Sequence, residues 1–174
     1  MREYDPMKAL TFLADQTRMP NVAAVGKKML EFPDDTWVRR SAVLAYDLNA
    51  HGFGYDVLLS VILLHQVSVN GVIDPYKIDI DVEIRIAVTR LMEQSAYGNG
   101  SLDAKYIRQN HLACLAYIAD KYAVMELDRP EQGHAWKKSY VPNLKNSVQE
   151  MANYPNPWLP EYRALVEYMT KKIS

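Results

Sequence analysis

Apolar residues recur every three or four positions along the chain, and that spacing predicts helix from one end to the other. Asp5 followed by Pro6 marks a helix start: a side chain able to cap, then a residue whose missing N–H costs nothing in the first turn. Met7, Leu10, Leu13 and Ala14 follow on one face. The segment "PNVAAVGKKMLEF" predicts a short helix or turn that ends before Pro33. Asp34, Asp35 and Thr36 cap a third segment. Its inward stripe is Trp37, Ser41, Leu44, Ala45 and Leu48, and Gly52 is its terminator. Seven of the eight residues from Val57 to Leu64 are apolar. The fourth helix, about Asp56 to Val69, is therefore hydrophobic nearly all round and belongs at the centre.

Residues 72–80, "VIDPYKIDI", read as a loop turning at Asp74-Pro75, with strand as the alternative. A fifth helix over about 81–95 carries Val82, Ile86, Leu91 and Met92, and "YGNGS" breaks it. A sixth spans about 102–126, with Ile107, His111, Cys114, Leu115, Ile118, Tyr122 and Met125 on one face. "DRPEQG" is a turn. Trp136, Tyr140, Leu144, Val148 and Met151 then recur at helical spacing, kinked or restarted at Pro142. "NYPNPWLP" is a bend, and residues 160–173 form a last amphipathic helix. The sum is a single all-α domain over 1–174, a bundle of seven to eight helices.

Composition narrows the function classes. A chain of 174 residues that is 49% hydrophobic suits one domain with a sizeable core. Twenty basic side chains against 21 acidic ones give no argument for nucleic acid or a membrane surface. The single cysteine, Cys114, rules out a disulfide within these residues and a paired-thiolate zinc site. No run of about 18 apolar residues suggests a membrane span. "MREYDPMKAL" does not read as a secretion signal, so the expected location is cytoplasmic.

Candidate chemistry rests on two polar residues in apolar surroundings. His65 ends the apolar run of "SVILLHQVSVNG", and Asp120 lies inside "CLAYIADKYAVM". A buried carboxylate is costly unless paired or bound to a cation. Pairing of Asp120 with Lys121, or with an arginine from elsewhere, is simpler than a metal. The other histidines have plain explanations: His51 at a helix C-terminus, His111 in the core, His134 exposed beside a turn. No Gly-rich phosphate loop and no Ser-His-Asp or Cys-His pattern stands out.

Two segments together, "GFGYDVLLSVILLHQV" and "LAYIADKYAVMEL", resemble the HD-domain superfamily. Within it they resemble the RelA/SpoT-type alarmone (guanosine polyphosphate) hydrolases and their small single-domain relatives. "KALTFLADQTR", "VEIRIAVTRLMEQ" and "WKKSYVPNLKNSVQEM" extend the likeness in order along the chain. The resemblance implies an all-helical fold and a site where a His-Asp dyad, an early His and a later Asp hold a metal. A Glu-Asp pair serves the attacking water. His65 stands at the dyad His and Asp120 at the later Asp, but Gln66 replaces the dyad Asp. Val69 and Asn70 replace the Glu-Asp pair, and Val124 stands where an Asn is expected. The early His has no counterpart among Trp37, Val38, Arg39 and Arg40.

Two of four expected ligands would hold a cation weakly, and the groups that would activate water are gone. The expectation is a relic site of His65, Gln66 and Asp120, with no catalytic residue and no cofactor. A cation from Arg39 or Arg40 would neutralise Asp120 where the ion would sit. The protein would act by binding a nucleotide or a protein partner, with Arg18, Arg39, Arg40 and Lys121 as phosphate contacts. One alternative is an active Mn-dependent nucleotide phosphohydrolase in which Asp47, His51 or Asp56 supplies missing ligands. Another is a helical interaction scaffold whose pocket is filled by Trp37 and Tyr122.

Overall fold

The computed structural model describes residues 4–98, 106–127, 142, 144–150, 152 and 159–173. Asp5 accepts hydrogen bonds from the backbone N–H groups of Met7 and Lys8 and starts α1, Pro6–Ala14. α2, Pro20–Met29, begins where the Asp56 carboxylate accepts from the backbone N–H groups of Asn21 (3.2 Å) and Val22 (2.9 Å). Asp35 caps α3, Thr36–Ala50, in the same manner through Trp37 and Val38. Gly52, at φ +92°, then turns the chain in a conformation open chiefly to glycine.

α4, Asp56–Val69, is the central element. Ten of its 14 residues are buried, and it packs against α2, α3 and two later helices. Those two are α5, Val82–Tyr97, and α6, His111–Glu126. Residues 144–150 are helical and form α7, and α8, Arg163–Ile173, packs on α6. The fold is all-α: these eight helices and two short 3₁₀ turns, with no strand among the described residues. No helix among those residues is long and apolar enough to cross a membrane.

The starts expected for α1 and α3 match the observed ones because Asp5 and Asp35 cap them, and the bounds expected for α4 match although its N-cap, Tyr55, makes no side-chain cap. The 72–80 segment turns at Asp74-Pro75 as expected, in a 3₁₀ turn over Pro75–Lys77, and contains no strand. Three expectations change. α5 buries Ile84, Ala87, Val88 and Leu91, while Val82 and Ile86 face outward. Apolar residues lie on both sides of this helix, and its packing on α4 and α6 selects one set. α6 begins at His111 and not near 102. Asn110 accepts from the Ala113 N–H (2.9 Å) and caps it there, after a turn over 106–109. His111, expected in the core, is a half-buried first-turn residue. The turn "DRPEQG", the positions Trp136, Tyr140 and Met151, His134 and the bend at 153–158 lie outside the described residues.

Candidate functional site

His65 reaches its position because α4 runs unbroken through the core and carries it against α6. It is 7% exposed and lies beside the Ala116 backbone of α6. Burial pushes its pKa down to about 4. The nearby Asp120 carboxylate opposes that shift, while Lys121 and Arg40 reinforce it. At neutral pH the ring is uncharged.

Asp120 is also buried, one helical turn beyond Ala116. Arg40 of α3 donates through Nη1 to its Oδ1 at 2.6 Å and through Nη2 to its backbone carbonyl at 3.2 Å. The ammonium of Lys121 lies 3.6 Å from Oδ2 and 4.9 Å from the centre of the Tyr117 ring. Burial alone would raise the Asp120 pKa. His65, Arg40 and Lys121 overcome it, and the carboxyl is held below its usual range. Among the described residues, one carboxylate thus lies between a guanidinium and an ammonium.

A cavity of about 250 Å³ opens beside the cluster. α4 contributes His65, Gln66 and Val69 to its wall, α5 contributes Leu91, Gln94 and Ser95, and α6 contributes Tyr117, Asp120 and Lys121. Gln94 accepts from the Tyr106 N–H (3.1 Å), which ties the segment before α6 to the wall. Tyr117 meets Ser147 of α7 at 3.1 Å. The volume lies just below the usual range for whole small-molecule sites, about 300–1,000 Å³, and suits a phosphate-sized group.

The residues present do not fit the metal that the resemblance implies. His65 and Asp120 are two donors, and both oxygens of Asp120 already face cations. Among the described residues no three His, Cys, Asp or Glu side chains converge on one point. The replacement ligands considered above lie elsewhere: Asp56 caps α2, and Asp47 and His51 belong to a second cavity. Manganese therefore has no built site here.

Of the four cationic candidates, the structure brings Arg40 and Lys121 to Asp120 and leaves two aside. Arg18 is exposed at the α1–α2 junction, and Arg39 makes a long contact to the Pro33 carbonyl (3.4 Å). Neither lines the cavity. Trp37 packs on the core and Tyr122 bonds to Asp47, so neither fills it. Gln94, Ser95 and Tyr117 went unnoticed in the sequence. The available signal was weak: a polar pair one turn beyond Leu91, and a tyrosine three residues before Asp120.

The chain matches no protein-family model, no curated protein and no solved structure.

Proposed function

We propose that the chain is a non-hydrolytic relative of the HD-domain alarmone hydrolases that binds the phosphate end of a nucleotide without a metal. The family assignment rests on the co-linear motifs around His65 and Asp120. One observation carries the mechanism: Arg40 and Lys121 flank the buried carboxylate that a metal would need. A divalent ion would have to displace a 2.6 Å charge-assisted contact in a dehydrated setting, which is unfavourable. An anion instead meets the Lys121 ammonium in the wall of a polar cavity. Lys121, lining that cavity, supplies the charge, and the Gln66, Gln94 and Ser95 side chains supply further polar contacts.

Calorimetric titration with guanosine tetraphosphate, guanosine diphosphate, adenosine triphosphate and pyrophosphate tests this. Saturable binding should persist in a chelator, weaken with salt, and fall about tenfold in Lys121→Met, equivalent to about 1.4 kcal/mol. Dilution heats alone for every ligand would retire nucleotide binding. Stoichiometric manganese with phosphate release abolished by Asp120→Ala would restore the hydrolase.

A further inference from the structure

A second cavity, of about 530 Å³, lies among α3, α6 and α8. Its floor is Asp47, a carboxylate only 3% exposed. The Tyr4 hydroxyl donates to Asp47 Oδ1 (2.8 Å) and the Tyr122 hydroxyl donates to Oδ2 (2.7 Å). Each phenol has one proton to give. Tyr122 has spent its proton on Asp47, so at the 3.3 Å contact between Tyr168 and Tyr122 the donor must be Tyr168. His51 Nδ1 lies 2.7 Å from the Asp47 backbone carbonyl. A carbonyl only accepts, so Nδ1 carries the hydrogen.

The phenolic protons of three tyrosines are committed within the protein. The wall keeps acceptors: the Tyr168 oxygen and the carboxylates of Asp47 and Glu126. It also keeps aromatic surface, with Tyr168 ringed by Tyr122 (centroids 5.8 Å apart) and His51 (5.3 Å). Lys172 is the one lysine or arginine among the described lining residues, and its ammonium stands 5.9 Å from the centre of the Tyr168 ring. The chain's own alkylammonium thus already approaches that face. Acceptors, two carboxylates and the ring of half-buried Tyr168 complement a ligand that is cationic and rich in N–H donors.

We propose that this second cavity binds a small alkylammonium ligand, held by Asp47, Glu126 and the face of Tyr168. The site is independent of the one beside Asp120. Titration calorimetry with 1,4-diaminobutane and n-butylamine at neutral pH tests it, with 1-butanol as the uncharged control of similar shape. Saturable one-to-one binding of the diamine is expected, about fivefold weaker in Glu126→Gln. In Lys172→Met, which removes the internal competitor, binding should be several-fold tighter. Both positions lie toward the rim, and thermal melts confirm that the variants fold. Amine heats no larger than those of 1-butanol would overturn the proposal. So would affinities equal within twofold across the wild type and both variants.

Discussion

His65 and Asp120 set each other's ionisation. The His65 pKa in the folded protein, about 4, lies below its ordinary value of 6.5, chiefly through burial. Below pH 6.5 the unfolded chain takes up a proton that the folded chain refuses. Stability is therefore complete above pH 6.5 and declines as pH falls toward 4, by at most about 3 kcal/mol. Urea unfolding of wild type and His65→Gln at pH 7.5 and 4.5 should show the wild type losing more, by roughly that amount. Equal losses would mean that the imidazole is protonated in the fold. Asp120 works at lower pH: its depressed pKa contributes stability above the usual carboxylate value, lost as pH drops through its folded value.

The Arg40–Asp120 contact is tested by a double-mutant cycle. Arg40→Met should destabilise the fold by about 3 kcal/mol, since the buried Asp120 carboxylate loses its 2.6 Å contact with a guanidinium. Asp120→Leu removes the other partner, and the double variant should lose less than the two single losses together. Strict additivity in urea unfolding would mean that the two side chains do not interact. Both His65 and Asp120 were legible in the sequence because a polar group inside an apolar run demands a partner. The partner was legible only as one of two adjacent arginines. Which of them faces inward depends on the rotation of α3, which its stripe fixes only to within a residue.

At the scale of elements, caps were easier to read than faces. Asp5, Asp35 and Gly52 announce local geometry that involves only neighbouring residues, so those helix ends were legible. α5 was not, because its apolar residues fall on two sides and the choice between them is made by packing on α4 and α6. The observed face makes a measurable distinction. Ile84→Ala should cost about 2–5 kcal/mol, as expected for a fully buried isoleucine. Ile86→Lys, at a 48% exposed position, should shift stability by about 0.5 kcal/mol or less. Thermal unfolding of the two variants decides: the reverse order would rotate α5 by about half a turn and take Gln94 and Ser95 out of the cavity wall.

Across the whole molecule, one apolar helix explains how the two cavities coexist. α4 fills the centre, so polar side chains of α3 and α6 gather where α4 does not cover them. Arg40 and Asp120 meet beside the α4–α5 cavity, while Asp47 and Tyr122 meet farther along the same two helices beside α8. Their separation follows from seven residues along α3, about two helical turns or roughly 10 Å. The sequence showed the apolar helix and hence the architecture, but a cavity is a property of gaps between helices and has no local signature. Integrity of this core has a built-in reporter. Cys114 on α6 is fully buried, its thiol donates to the Ile107 carbonyl (3.0 Å), and burial pushes its pKa up to about 12. Reaction with a thiol reagent needs an exposed thiolate, so it requires α6 to leave the core. Labelling at neutral pH should be at least a hundredfold slower than for an unfolded control. It should accelerate with urea in step with global unfolding measured by circular dichroism. Labelling at the rate of the unfolded chain, without denaturant, would mean that α6 is not packed against α4, and neither cavity would have its shared wall.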